Sequence, residues 1–209
     1  MTNDAHWDTY LRWLDTAAPA TAAALNPPAD DAAIAELTRV TGQPLPAAVL
    51  AGWRRHDGEP SEAGVGALLG FGWLSTTAVR RHWTDWAQVR ADNSTEDMAV
   101  LKMFASSDPA GAIRTEYTHP GWIPLYAWPY EANYVGLDFA PGPAGRAGQV
   151  INFGRDFDDK KVLAPDFDTF LAWLAAQVGS GRLRPDPRRL DWHPDGHLVS
   201  ALTAARLST

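Results

Sequence analysis

The stretch Trp122 to Asp138, WIPLYAWPYEANYVGLD, constrains this chain more than any other, because the Pro/Gly-rich run PGPAGRAG and the apolar segment QVINF follow almost at once. Apolar residues rich in β-branched and aromatic types, cut by a short turn and then by a glycine-rich connection, predict strands at Trp122–Ala127, Tyr134–Asp138 and Gln149–Phe153. Neither connection contains a crossover helix, so neighbouring strands must run antiparallel. A further short strand is predicted at Lys161–Leu163, and half-buried or glycine-interrupted strands at Ile113–Thr118 and Gly66–Leu74.

Helical periodicity brackets this β-rich centre. Trp7, Leu11 and Leu14 recur at spacings of four and three within a helix from Asn3 to Ala17 that Pro19 ends. Asp30 or Asp31 can cap a helix carrying Ile34, Leu37 and Val40, with Gly42 as its stop. Pro46 suits the first turn of a helix presenting Val49, Leu50 and Trp53 and ending near Asp57-Gly58. Ser75 caps a helix to about Arg90 through Val79, Trp83 and Trp86, and Asp92–Asp97 then reads as a solvated turn. Phe167, Phe170, Leu171 and Leu174 mark a helix to Gly179, and Leu198, Leu202, Ala205 and Leu207 a last amphipathic one. Helices at both ends of a run of strands give an α+β class: a mostly antiparallel sheet with flanking helices covering one face. The expected core includes Trp53, Leu69, Ile123, Leu125, Val135, Leu137, Val150 and Leu171. Residues 1–180 form one domain, and 181–209 an Arg/Pro-rich extension that packs a short helix on it.

Composition narrows the functional classes. No cysteine is present, which removes disulfides, thiolate metal sites and cysteine nucleophiles. The start of the chain has no basic stretch leading into an apolar run, and no segment nears the roughly 20 apolar residues of a membrane helix, so the expected location is the cytoplasm. A net charge of −7 argues against a nucleic-acid partner and suits a basic protein. Ten tryptophans can serve cores and interfaces alike. Trp7, Trp53, Trp83 and Trp173 fall on apolar helical positions and are expected inside.

Motifs for catalysis or cofactors are weak. GPAGRAG lacks the Lys-Ser/Thr of a phosphate loop and any following helix, so it reads as a flexible connection between strands. His193 and His197 are separated by Pro194 and Gly196, which prevents the regular helix that would aim both at one metal. His56-Asp57 has no serine nucleophile to serve. Asp156, Asp158 and Asp159 do not complete a calcium loop, because Lys160, Lys161 and an apolar strand follow. The expectation is no catalytic residue, no metal and no cofactor. Trp128, Pro129, Tyr130 and Glu131 lie in a turn between strands, either as interface anchors or folded back over the sheet edge.

Leu45-Pro46, His56-Asp57-Gly58, Trp122-Ile123-Pro124, Leu137-Asp138, Pro141-Gly142 and Gly148-Gln149-Val150, in this order, resemble the SUKH superfamily of bacterial toxin-immunity proteins and relatives of fungal cell-wall-assembly regulators. Thr38 departs from the family's usual Glu, and residues 128–133 from its usual Gly-rich turn. The resemblance implies a non-enzymatic protein-binding module with no cofactor. The first reading is an immunity protein that neutralises a toxin, such as a nuclease with a basic domain. The second is a regulatory or scaffold protein related to cell-wall assembly, with glycan-linked partners. Candidate partner-binding residues are Trp128, Tyr130, Glu131, Asp156, Asp158, Asp159, Glu59 and Glu62, the acids imitating the phosphates of a nuclease substrate.

Overall fold

The structure is a computed structural model that describes residues 2–60, 66–129, 132–185 and 193–207. The described residues form eight helices and one six-stranded sheet of order β1-β3-β4-β5-β6-β2. Its centre is the antiparallel meander foreseen from the sequence: β3 (Trp122–Ala127), β4 (Asn133–Asp138), β5 (Gln149–Gly154) and β6 (Asp159–Ala164). The eight expected core residues are all buried.

Both faces of the meander are covered. Every residue of β4 and β5 is buried, so these strands carry continuous rather than alternating burial. Cross-strand partners share a face, which puts Ala127, Tyr134 and Phe153 on one side and Tyr126 and Val135 on the other. Tyr134 meets His82 and Trp86 of α5 (Thr76–Asp92), whereas Tyr126 packs on Phe170 of α7 (Phe167–Gly179) with ring centroids 5.8 Å apart. The expectation of helices on one face is thus corrected: a sheet apolar on both sides needs a helix on each.

The remaining helices brace this sandwich. α1 (Asn3–Ala17) packs along α7, and α3 (Asp31–Thr41) along α5. Their N-caps are side chains of Thr2, Asp30, Ser75 and Asp166, each accepting the amide three residues on. α2 (Pro19–Ala23) has Pro19 in its first turn, so that proline starts a short helix as it ends α1. α4 (Ala47–Trp53) stops at Trp53 and not at Asp57. Trp7 and Trp53 are fully buried, whereas Trp83 and Trp173 lie half-buried at the margin of the core. α8 (Leu198–Ala205) buries Leu198, Val199, Ala201 and Leu202 and contacts β6.

Three local expectations fail for identifiable reasons. Within Gly66–Leu74 the chain reverses between Leu68 and Phe71, with Leu69 at φ 51° and Gly70 at φ 87°, so only β1 (Gly72–Trp73) pairs with β3. Ser94 and Asp97 form a reciprocal capping box, which turns the predicted solvated turn into the start of α6 (Thr95–Leu101). Residues 113–118 are irregular: the edge beside β6 is taken by β2 (Ser106–Asp108), which pairs with it in parallel. The amide of Ile113 instead donates to the Ser107 hydroxyl at 2.9 Å.

Trp53 offers a direct check of this core. Its ring is fully buried and its indole N–H donates to the Leu74 carbonyl at 3.0 Å. Replacing Trp53 by Ala should lower unfolding free energy by about 3–5 kcal/mol in urea titrations. A loss under about 1 kcal/mol would contradict the packing described.

Candidate functional site

A groove of about 550 Å³ opens between α5 and the tip of the β3–β4 hairpin. Its lining includes Trp73 and Leu74 from the β1 edge, Ala78, Trp86 and Val89 from α5, and Ala127, Trp128 and Pro129 from the hairpin. That volume falls within the roughly 300–1,000 Å³ of sites that hold a ligand or a few side chains. Ala78, His82, Asp85, Trp86 and Val89 line it because spacings of three and four place them along one side of α5.

Polar groups lie on both sides of the groove, Arg81, His82 and Asp85 on α5 and Glu59, Tyr117, Tyr134 and Arg155 on the other elements. The Tyr134 oxygen and the His82 Nδ1 are 3.1 Å apart, and the Trp86 ring meets the Tyr134 ring edge-on with centroids 6.5 Å apart. Burial, then the neighbouring Arg81, hold the imidazole below its ordinary range and therefore neutral at neutral pH. Burial pushes the Tyr134 hydroxyl up to about 12. Arg81 and Asp85 are exposed, one helical turn apart, and neither makes an ion pair with another described residue. Across the groove, Arg155 pairs with Asp156 at 3.2 Å.

Glu59 forms one end of the groove, and here the sequence expectation is corrected. It was expected as a surface acid facing a basic partner. Only 5% of it is exposed, and its carboxylate turns inward to the amides of Ala67 (3.0 Å) and Trp73 (2.9 Å). Its own amide donates to the Trp73 carbonyl at 2.8 Å, so the residue closes the free edge of β1. Burial outweighs those amides and raises the carboxyl from 4.5 to about 7.

The other predicted residues fall in three groups. Trp128 folds back: it meets Phe71 and His197 edge-on with centroids 5.1 and 4.7 Å away, and it lines the groove with its remaining surface. Asp156, Asp158 and Asp159 gather at the β5–β6 turn beside the groove. Asp156 is engaged by Arg155 and Asn133, and Asp159 by Ser106 and Lys161, so two of the three charges are already answered within the chain. Asp158 and Asp159 also act on Lys160, which is buried over the Trp122 ring. Tyr130, Glu131 and Glu62 lie outside the described residues.

The weak chemical motifs have structural occupations. His56 contacts the Asn26 carbonyl, while Asp57 accepts the amide and hydroxyl of Thr76, so the two side chains serve different partners. His193 faces Gln177 and Asp195, and His197 faces Trp128. Gly142 and Gly145 press against the carbonyls of Gly111 and Ala112, where a Cβ would collide, so their loop is tightly packed and not a loose connection. Among the described residues, no three His, Asp or Glu side chains gather as metal ligands. No described helix is long and apolar enough to cross a membrane. Sequence reasoning missed Arg81, His82, Asp85 and Tyr134 as groove residues. Their signal was the placement of His82 and Asp85 on the same stripe as Ala78, Trp86 and Val89.

The family model described as SMI1 / KNR4 family (SUKH-1) matches residues 28–173, which include α5, the β3–β4 hairpin and Glu59. The chain belongs to the SMI1/KNR4 (SUKH-1) family. It is 40% identical over 134 residues to the cell wall biosynthesis/cell cycle regulator smi1 of Schizosaccharomyces pombe, covering 61% of this chain and 26% of that protein. Identity to the glucan synthesis regulatory protein of Neurospora crassa is 47% over 76 residues, 36% of this chain and 14% of that one. The KNR4/SMI1 homolog 2 of Debaryomyces hansenii is 26% identical over 221 residues, covering 90% of this chain and 37% of its own length. The SMI1/KNR4 chain described here thus spans well under half of each of these relatives.

The buried carboxyl yields a pH prediction. Between its unfolded value near 4.5 and its folded value of about 7, Glu59 binds a proton in the folded state that the unfolded chain has lost. Its contribution is therefore fully present below about 4.5 and is lost as pH rises through about 7, a change on the order of 3 kcal/mol. In Glu59→Gln this dependence disappears. Urea unfolding at pH 5 and pH 8 should show the variant gaining on the parent by that amount at the higher pH. An equal difference at both pH values would show that the carboxylate ionises without penalty.

Proposed function

We propose that this chain is a non-enzymatic regulatory module of the cell-wall-assembly kind, acting by binding a partner protein in the groove between α5 and the β3–β4 hairpin. The observation that carries the reading is the SMI1/KNR4 match, which spans the elements that build the groove. The regulatory reading draws on the names of its relatives, which refer to cell wall biosynthesis and glucan synthesis. Toxin neutralisation, the first reading of the sequence, has no comparable support, and the acid cluster meant to meet a basic toxin is largely engaged by Arg155, Lys161 and Ser106.

Non-enzymatic action fits the occupations of the polar groups. Glu59 holds backbone amides, His82 holds Tyr134, and His56 and Asp57 tie chain segments together. None of these pairs contains a nucleophile within reach of a base and an orienting group. A largely apolar groove with several aromatic side chains and charge on its rim is instead suited to seating apolar side chains, the arrangement of interface hot spots.

Ala127 lines the groove and is half-buried, so a larger side chain there fills the space without entering the sheet core. A source-cell strain whose chromosomal copy carries Ala127→Trp should show the same sensitivity to wall-perturbing agents as a deletion strain, with normal protein levels. Full resistance would overturn the groove reading. A deletion strain with unaltered walls that is killed by its own siblings would favour toxin neutralisation instead.

A further inference from the structure

We propose that the groove takes an extended peptide segment of the partner that inserts apolar or aromatic side chains and places an acidic residue on Arg81; this rests on the protein-binding reading above. The choice of ligand follows from the lining. Trp73, Trp86 and Trp128 present mostly carbon, and of the polar side chains Glu59, His82, Tyr134 and Arg155 are already turned to partners within the chain. A sugar chain needs hydrogen-bonding partners for hydroxyls all around each ring, and most of the polar side chains of this lining are already engaged. A peptide needs a pocket for alternate side chains and a few polar groups for orientation, which this groove provides.

Charge selects among peptides. The chain is strongly acidic, with net charge −7, yet among the described lining residues the groove rim carries two guanidiniums, Arg81 and Arg155, against the one exposed carboxylate of Asp85. Glu59 adds little to the rim, since its carboxylate is buried against Ala67 and Trp73. Arg155 is already paired with Asp156, whereas Arg81 has no ion pair with a described residue. An incoming carboxylate therefore finds an available guanidinium at the groove and repulsion over most of the remaining surface. The fork of Arg81 favours a bidentate carboxylate, and Asp85 one turn on is left to accept a peptide N–H. Rim pairing of this kind acts chiefly on association and on the choice of partner.

The test uses the full chain and a phage-displayed library of random dodecapeptides, with enriched sequences resynthesised and followed by fluorescence anisotropy. Enriched peptides should combine apolar or aromatic residues with Asp or Glu. Their binding should weaken about tenfold in Arg81→Glu, hold or tighten in Asp85→Asn, and vanish in Ala127→Trp. Val89→Trp, filling the groove from the α5 side, gives the same readout should the first filler fold poorly. If the fillers block binding but the enriched peptides are basic, or Arg81→Glu leaves them unaffected, the acidic-segment proposal falls and the groove reading stands. If neither filler alters binding, both fall. A glucose hexasaccharide that shifts tryptophan fluorescence in the parent but not in either filler would assign the groove to glycans and overturn the proposal.

Discussion

The two-way hydrogen bonding between Glu59 and Trp73 holds the position on which the rest of the molecule closes. Trp73 pairs with Tyr126 across the sheet, stacks on Trp7 of α1 with centroids 4.9 Å apart, and lines the groove. The stack is approached by α4 at Gly52, where a Cβ would stand 2.6 Å from the Trp7 ring, so only glycine lets that helix come so near. The Trp7 indole N–H then donates to Ala48 in the same helix at 2.8 Å. One two-residue strand thus joins α1, α4 and the meander. The carboxylate of Glu59 takes the place of a further strand at its outer edge. An alanine at position 59 would strand buried amides; a glutamine keeps an acceptor there.

The acid-rich composition has a different meaning once the neighbours are known. Lys160 is 1% exposed, donates to the Phe157 carbonyl at 3.1 Å and lies over Trp122. Burial lowers its pKa, and Asp158 and Asp159 oppose that shift. The aspartate turn therefore offsets part of the desolvation of a buried lysine as well as facing solvent. A buried lysine without such neighbours would tend to lose its proton.

How far the sequence disclosed this arrangement depended on the range of the forces involved. α1, α7 and the strands β3 to β5 were legible because their caps, apolar spacing and turns lie within the elements themselves. α6 had its signal as well, in Ser94 and Asp97, but the run of polar residues around it resembles a solvated turn. β2 had none: its parallel pairing with β6 joins Ser106 to Asp159 across half a hundred positions, and no local pattern encodes that. The apparent alternation of Ile113, Thr115 and Tyr117 was misleading because Thr115 is exposed and Ile113 is held by a serine side chain. At the groove, Trp128 could be singled out from its place in a turn. Glu59 could not be recognised as buried, since its partners are backbone amides with no side-chain signature.

The groove persists because of how Trp128 is used. A tryptophan at a hairpin tip could collapse onto α5 and close the space above Tyr134. Here its ring is drawn the other way, against Phe71 and against His197 at the start of α8, while the amide of Leu198 donates to the Leu69 carbonyl. The start of α8 therefore packs, through His197, on a tryptophan that lines the groove. Because the family match ends at residue 173, the segment that performs this role lies outside it. On this geometry the family's core elements build the groove, and the segment beyond them touches it through the contact of His197 with Trp128.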